Sequence, residues 1–383
     1  MRLFQCLFGS ALILLSGACS MGPAGNKGSQ EQEGNLSFTR YASGFRVTEK
    51  GAGTMVEVLD PWQQSRDVIF SYMLASDPVL VPDSLKSLPF IRTPVQRVIA
   101  LSTTHVAMID QLGCGESIVG LSGSGYIYSA SIRKRIESGS ILDVGYGQGL
   151  DYEKIVGLEP DVIFLYGVEG SVLTILEKLT ELGIPAVFCG EYLENHPLGK
   201  AEWIRFFSLF YNREVQSARF FDQVDSAYCS LAERASGAGD RPEVLMGLPW
   251  KDTWFMAGGE SYAARLVEDA GGHFLWSDHP STQAIPLDLE SVYIRAVNAD
   301  IWINPGEAAS LADIVQLDER FGELPVVKSG SVFNNDARRS PGGGNDYWES
   351  GTVRPDLVLA DLIGIFHPDL LTDHQFVFYR QLK

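Results

Sequence analysis

The chain has 383 residues, 45% of them hydrophobic and 20% charged, with a formal net charge of −18. This length and composition are typical of a globular protein with two hydrophobic cores. The acidic balance argues against a nucleic-acid partner, because phosphate binding needs clustered Lys and Arg. The histidines are scattered and the cysteines show no CxxC spacing, so we expect no dedicated metal site and no intrinsic cofactor.

Residues 1–18 are predicted to be a secretory signal peptide, because an apolar run too short to span a membrane follows an early Arg. Small residues stand directly before Cys19 and resemble a bacterial lipobox, although Ser16 occupies a position where Leu is usual. We therefore expect cleavage and lipid attachment at Cys19, with plain cleavage and a free Cys19 as the alternative. Residues 19–37 are rich in Gly, Ser, Gln and Glu, which predicts a flexible tether.

Residues 38–94 are predicted to form a small N-terminal β appendage. Apolar residues alternate on both sides of a glycine-rich turn at 51–53: they are Phe45, Val47, Val56 and Val58. This pattern predicts a β-hairpin that precedes the main fold.

Residues 95–211 are predicted to form a first α/β lobe. Two continuous apolar runs, 161–167 and 185–190, are typical of buried strands in a parallel sheet. The segment between them carries its apolar residues on one helical stripe and ends at Gly183. Strand, helix and strand together give a βαβ unit.

Residues 237–383 are predicted to form a second lobe of the same kind. The stretches "DYEKIVGLEPDVIFLYG" and "DLESVYIRAVNADIWINPG" share an Asp cap, a short helix, an apolar strand and a final Gly, with Asp151 and Asp288 as the caps. Residues 212–236 contain no Gly or Pro, which predicts a long connecting helix capped by Asn212. The predicted fold class is α/β, with two βαβ-type lobes joined by this helix.

This organisation resembles one family, the solute-binding proteins of ABC importers for iron complexes and cobalamin, also called class III periplasmic binding proteins. The resemblance runs from about residue 95 to about residue 370 and is carried by "RVIALSTTHVAMIDQLGCGESIVGLSG", "LTELGIPAVF", "GGESYAARLVEDAGG" and "WESGTVRPDLVLADLIGIFHP". The longer stretch "GGNDYWESGTVRPDLVLADLIGIFHPDLL" looks like a Bacteroidetes-type lipoprotein branch of that family. The tether and the hairpin lie outside the resemblance.

The resemblance implies a monomeric protein, lipid-anchored in the periplasm or cell envelope, that captures an iron chelate. The chelate is a ferric siderophore or haem, delivered to the permease and ATPase subunits of an importer. A corrinoid (cobalamin) is the alternative cargo for the same fold. An enzyme fits less well, because no positioned acid–base pair or nucleophile is present and no catalytic residue is assigned. A ligand-free surface adhesin that uses the hairpin as its interface is a further alternative.

The resemblance also places a ligand cleft between the lobes, at the carboxyl ends of the sheets, where parallel-sheet topology favours a crevice. Aromatic residues that follow predicted strands are therefore ligand-binding candidates: Tyr126, Tyr146, Tyr166, Trp250 and Trp254. Core packing is the alternative for each of them, because most aromatic residues are buried.

The stretch "RRSPGGGNDYWESG", which we name the arginine–glycine loop (residues 338–351), fits neither a helix nor a strand. Its arginines suit carboxylate, catecholate or phosphate groups, its glycines permit close backbone approach to a ligand, and its Trp offers a flat face. The ligand-binding candidates in it are Arg338, Arg339, Asp346 and Trp348, and they predict an anionic or chelate-like ligand. The alternative is a structural loop in which Arg338 or Arg339 pairs with Asp346 or Glu349.

In the family that the chain resembles, each lobe presents an acidic residue to arginines on the permease. Glu268 matches that position in the second lobe, whereas the first lobe has Ala107 there. Asp110 lies about one helical turn further on and is expected to substitute, unless docking is asymmetric. The alternative for both is a solvated surface charge of little energetic weight.

Overall fold

The computed structural model describes residues 38–168, 170 and 172–383. The predicted signal peptide, the lipidation site Cys19 and the tether therefore lie outside the described residues. None of the helices in the described part combines the length and the apolarity that crossing a membrane requires. The strands are β1 Phe45–Lys50, β2 Gly53–Leu59, β3 Ile69–Ala75, β4 Phe90–Arg92, β5 Val98–Ala100, β6 Ile118–Leu121, β7 Leu142–Asp143, β8 Val162–Leu165, β9 Ala186–Phe188, β10 Glu243–Met246, β11 Thr253–Met256, β12 His273–Phe274, β13 Ile285–Asp288, β14 Ile301–Ile303, β15 Val332–Asn334 and β16 Arg380–Gln381. The helices are α1 Thr103–Gln111, α2 Ala130–Glu137, α3 Tyr152–Gly157, α4 Val172–Glu181, α5 Pro197–Leu209, α6 Glu214–Ser236, α7 Tyr262–Asp269, α8 Leu289–Ala296, α9 Leu311–Leu317, α10 Pro325–Lys328, α11 Ser350–Val353 and α12 Pro355–Phe366.

The N-terminal appendage is a four-stranded sheet in the order β1-β2-β3-β4. The predicted hairpin is confirmed, because β1 and β2 pair antiparallel with Phe45 opposite Val58 and Val47 opposite Val56. The sheet is larger than the predicted hairpin, since β3 joins β2 antiparallel and β4 joins β3 parallel. The ring of Phe45 packs 4.9 Å from that of Trp203 in α5, so the appendage shares a core with the first lobe.

The first lobe is built on a parallel sheet in the order β7-β6-β5-β8-β9. The apolar runs that predicted buried strands form β8 and β9, and every residue of both strands is buried. Helix α4 connects them, as the predicted βαβ unit requires. Gly183 follows the helix with a φ of +70°, which glycine adopts without strain and which ends the helix.

The second lobe is built on a sheet in the order β12-β10-β14-β15-β16, in which only β16 runs antiparallel to its neighbour. Strands β11 and β13 form a separate antiparallel pair. The predicted repeat is confirmed at its caps, because Asp151 and Asp288 accept backbone N–H groups at the starts of α3 and α8. These two helices precede β8 and β14, so the same unit occurs once in each lobe.

Helix α6, which is 23 residues long, connects the lobes and packs against α5 and α12. Phe221, Val224 and Tyr228 are buried along it, whereas Val215 near its start is 67% exposed. The prediction that Asn212 caps this helix is wrong. Arg213 occupies the cap position, and Asn212 has a left-handed backbone with a φ of 53°.

Two buried carboxylates hold the segment 40–44 against the first lobe. Glu202 in α5 accepts the backbone N–H groups of residues 40, 41 and 42 at 2.8 to 3.0 Å. Glu194 accepts those of residues 43 and 44, and the indole N–H of Trp203, at 2.8 to 3.0 Å. The start of the described chain is therefore fixed by charge-assisted hydrogen bonds.

Candidate ligand cleft between the lobes

A cavity of about 200 Å³ lies at the carboxyl ends of β5, β6 and β8 in the first lobe. Tyr146 and Tyr166, both predicted as ligand-binding candidates, line this cavity, and their hydroxyl groups are 3.1 Å apart. Ser122 and Gln148 add further polar groups to the lining. Burial, together with the hydrogen bond from Tyr146, raises the pKa of Tyr166, so this phenol stays protonated and can donate or accept a hydrogen bond.

A larger cavity of about 490 Å³ lies between the two lobes. The first lobe contributes residues 192–195, which follow β9, and the second lobe contributes Gly247 after β10 and Asn304 after β14. The carboxyl ends of both sheets therefore meet across this cavity, where ligand crevices lie in parallel α/β folds. The aromatic residues of its lining are Tyr192, Phe255, Tyr262, Tyr347 and Trp348.

Both cavities offer neutral polar groups and aromatic faces. Among the described residues that line them there is no Arg, Lys or His, and Glu194 is the single carboxylate. Both oxygens of Glu194 already accept hydrogen bonds from the segment 40–44 and Trp203. Lys200 lies outside the lining, with its Nζ 4.3 Å from the ring centre of Tyr262. Neutral polar groups and aromatic rings therefore predominate among the described residues that line the two cavities.

The arginine–glycine loop does not bring its arginines into either cavity. Arg338 Nε lies 2.9 Å from Asp346 Oδ2, and the guanidinium carbon lies 5.0 Å from the ring centre of Tyr128 in the first lobe. Arg339 pairs with Glu307 at 2.6 Å. The pairing of Arg338 with Asp346 is the structural alternative named above. The structure therefore places Arg338, Arg339 and Asp346 outside the lining of both cavities, where their charges pair with each other or with Glu307.

The glycines of this loop allow two backbones to approach closely. A Cβ atom added to Gly342 would overlap the carbonyl group of Gly125, and one added to Gly344 would overlap the carbonyl group of Tyr126. Close approach was predicted from these glycines, but the partner is the backbone of the first lobe rather than a ligand. The loop therefore bridges the lobes.

Glu349, at the end of the loop, is buried and bonds to the first lobe. Its carboxylate accepts the N–H groups of Tyr128 at 2.6 Å and Ser129 at 2.8 Å, just before α2 begins. Burial is the main cause that raises the pKa of Glu349 to about 7; the two N–H bonds oppose it, and the negative charges of Asp346 and Asp110 add to it. The contact between the lobes thus contains a carboxylate that titrates near neutral pH.

The other aromatic candidates lie in different environments. Trp348 lines the larger cavity and is 54% exposed. The prediction for Trp254 is wrong, because this side chain has no exposed surface. Its ring centre lies 5.8 Å from that of Trp302, and its indole N–H donates to the carbonyl of Met246, at the end of β10, at 3.1 Å. Trp250 and Tyr126 are exposed but line neither cavity.

The sequence analysis did not single out Tyr192, Phe255, Tyr262 or Asn304, which line the larger cavity. Asn304 directly follows β14, so the same rule that predicted Tyr166 would have found it. Tyr192 lies in a short 3₁₀ turn and Tyr262 begins α7, and neither position follows a strand directly. No group of His, Cys, Asp and Glu that could hold a metal ion occurs in the described part of the chain.

The two docking candidates differ in accessibility. Glu268 lies on α7 with its side chain 41% exposed, 3.5 Å from Arg241 Nη2. Asp110 accepts hydrogen bonds from Ser129 and Ser131, so its carboxylate is engaged beside the bridge between the lobes. Ala107, at the position expected to be acidic, is buried in α1, which contacts α11.

Two α/β lobes, a long connecting helix and a cavity between the carboxyl ends of their sheets define a solute-binding protein. The chain belongs to the periplasmic binding protein family, whose model matches residues 98–338. An uncharacterized lipoprotein of Methanocaldococcus jannaschii is 30% identical over 299 residues, covering 76% of this chain and 69% of that protein.

Solved structures share the fold. A possible iron-binding (periplasmic solute-binding) protein from Staphylococcus epidermidis aligns with a TM-score of 0.57 and 20% identity, over 72% of this chain and 100% of that chain. The molybdate periplasmic binding protein of Haemophilus influenzae aligns with a TM-score of 0.58 and 15% identity, over 75% of this chain and 90% of that chain. At these identities the likeness concerns the fold.

Proposed function

We propose that this protein captures an iron chelate in the cell envelope and delivers it to the permease and ATPase subunits of an ABC importer. The observation that carries the proposal is the cavity of about 490 Å³ between the lobes, lined by aromatic rings and neutral polar groups. Its size falls in the range of small-molecule sites, and its few polar groups among apolar ones are typical of them. In this proposal the protein acts by binding, in keeping with the periplasmic binding protein family.

The cargo carries little net charge. An oxyanion such as molybdate, or the propionate groups of haem, would need cationic partners that the lining lacks in the described residues. A ferric trihydroxamate is electrically neutral and exposes carbonyl and methylene groups, which match phenol and amide groups and aromatic faces. The neutral lining equally favours a corrinoid, which is the second candidate and a larger molecule.

Visible absorption separates these candidates. The protein is titrated with a ferric trihydroxamate, haemin, cyanocobalamin and a ferric tricatecholate, and bound chelate is measured after dialysis. We expect retention of the trihydroxamate or of the corrinoid. Retention of haemin or of the anionic tricatecholate alone would contradict the inference from charge, and retention of none would contradict the proposed function.

Lipid attachment at Cys19 keeps the protein at the membrane. The small residues before Cys19 and the lipoprotein name of the archaeal relative support this step. The proposed Bacteroidetes-type affiliation is supported by the sequences "GEYLENHPLGKAEWIRF" and "GGNDYWESGTVRPDLVLADLIGIFHPDLL". We expect Cys19→Ser to move the protein from the membrane fraction to the soluble fraction, and unchanged membrane association would contradict the anchor.

We expect the protein to dock to the permease as a monomer, with Glu268 as its main acidic contact. Exposure of Glu268 on α7 supports this role, whereas the hydrogen bonds of Asp110 make it the weaker candidate. Glu268→Lys is expected to impair uptake through a reconstituted permease and to leave the affinity for the chelate unchanged. An equal loss of uptake and of affinity for the chelate would place Glu268 in the binding site instead.

A further inference from the structure

The loop between β2 and β3, residues 60–68, brings the N-terminal appendage to the ligand cleft. Its ends are tied together, because Asp60 donates its backbone N–H to the carbonyl of Val68 at 2.8 Å and accepts the N–H of Val68 at 3.0 Å. Inside the loop, the backbone N–H and the hydroxyl of Ser65 both donate to the carbonyl of Trp62. The loop therefore has a defined conformation within the described structure.

Trp62 fixes this loop on the first lobe. Its ring centre lies 6.1 Å from Phe70 of β3 and 5.8 Å from Phe188, the last residue of β9. The backbone N–H of Phe188 donates to the buried hydroxyl of Tyr72 in the appendage at 3.1 Å. Because β9 is the edge strand of the lobe, the appendage is seated beside the carboxyl end of that sheet.

Gln63 then reaches the cleft. It lines the larger cavity together with Tyr192, whose hydroxyl donates to the carbonyl of Gly167 at 2.6 Å. Gln63 and Gln64 also line a hollow of about 440 Å³ together with Val168, a residue that lines the smaller cavity as well. The loop thus stands where the hollow adjoins both cavities of the cleft.

We propose that loop 60–68 is a third wall of the ligand cleft, whose exposed Gln63 and Gln64 side chains select the ligand by its periphery. Each amide offers two donors and an acceptor without charge, which suits the amide or hydroxamate groups of a peptide-based chelate. Trp62 is a positioning residue that holds both glutamines in place. The matched family model begins at residue 98, so this loop lies outside the matched region. The proposal rests on the proposed function.

The test compares two neutral iron complexes that differ only around the metal. One is a ferric trihydroxamate on a cyclic peptide, and the other is ferric tris-acetohydroxamate, which lacks the periphery. Replacing both Gln63 and Gln64 by Ala is expected to lower the affinity for the peptide complex about tenfold and to leave that for the small complex unchanged. Gln96→Ala is the matched control, because Gln96 is exposed and precedes the amino end of β5, whereas the cleft lies at the carboxyl ends of the strands.

Each outcome has a separate meaning. The selective role of the loop is overturned if the double variant loses equal affinity for both complexes. It is also overturned if the double variant keeps its affinity for the peptide complex with an unchanged melting temperature. Either result leaves the proposed function standing. Failure of the unaltered protein to bind any of these iron complexes or cyanocobalamin overturns the proposed function and this inference with it. Trp62→Ala is expected to reproduce the loss for the peptide complex, and restoration by Trp62→Phe supports a positioning role.

Discussion

The bridge between the lobes is expected to make stability depend on pH through Glu349. The substitution Glu349→Gln removes the ionisable group while retaining its size and one oxygen that can accept an N–H group from Tyr128 or Ser129. The variant therefore separates the charge of the carboxylate from its packing.

The magnitude follows from the raised pKa. Between pH 4.5 and about 7 the folded protein keeps a proton on Glu349 that the unfolded chain has already lost. The free energy of unfolding therefore falls as the pH rises through this interval, and the stabilising contribution is absent above about pH 8. The step from 4.5 to about 7 corresponds to about 3 kcal/mol.

Urea unfolding near pH 5 and near pH 8 measures this effect. We expect the wild-type protein to lose about 3 kcal/mol more than the Glu349→Gln variant between these two conditions. Glu116→Gln, at a carboxylate whose side chain is 91% exposed, is the control and should behave like the wild type. Equal pH dependence in wild type and Glu349→Gln, or a wild type that gains stability as the pH rises, would refute the reasoning.

Three further substitutions test the packing and the site. Gly344→Val should destabilise the protein by about 1–3 kcal/mol in urea unfolding, because its side chain would overlap the backbone of the first lobe. Glu202→Ala should cost about 3 kcal/mol in the same assay, because it removes the acceptor of three backbone N–H groups, of which that of Ala42 is buried and those of Arg40 and Tyr41 are part-buried. Trp348→Ala should weaken chelate binding about tenfold, whereas Arg338→Ala with Arg339→Ala should change it less than about twofold, as measured by fluorescence titration.

The controls for these substitutions lie elsewhere on the chain. Gly239→Ala adds a Cβ where no atom lies within 4 Å, and Glu214→Ala removes an exposed carboxylate, so both should leave stability near that of the wild type. If Gly344→Val or Glu202→Ala matches its control, the corresponding contact does not stabilise the fold. If the double arginine substitution lowers the affinity for the chelate more than Trp348→Ala does, the ligand binds at the arginine–glycine loop rather than in the neutral cavity.

Local chemistry made much of the fold predictable. Continuous apolar runs predicted β8 and β9, and Asp151 and Asp288 identified the starts of two helices, because a buried strand and an N-cap each have a short-range signature. Asn212 shows the limit of this approach. A residue type that favours caps also favours left-handed backbone, and the surrounding chain decides between the two.

The candidate site was less predictable, because it depends on contacts between distant segments. Tyr146 and Tyr166 were predicted together because they follow strands of one sheet, and both line the smaller cavity. Trp254 was assigned by the same rule and is buried, since its strand pairs outside the main sheet and turns the ring into the core. The loop glycines signalled close approach correctly, but sequence alone could not show that the approaching partner was the first lobe.

The position of bound metal tests the central claim most directly. Crystals grown with a ferric trihydroxamate are measured at the iron absorption edge, and an anomalous difference map locates the iron without reference to any expected pose. A single peak in the cavity between Tyr192 of the first lobe and Trp348 of the second is the expected result. A peak beside Arg338 and Arg339 or on the outer surface, or the absence of any peak when dialysis shows retained iron, would contradict the account.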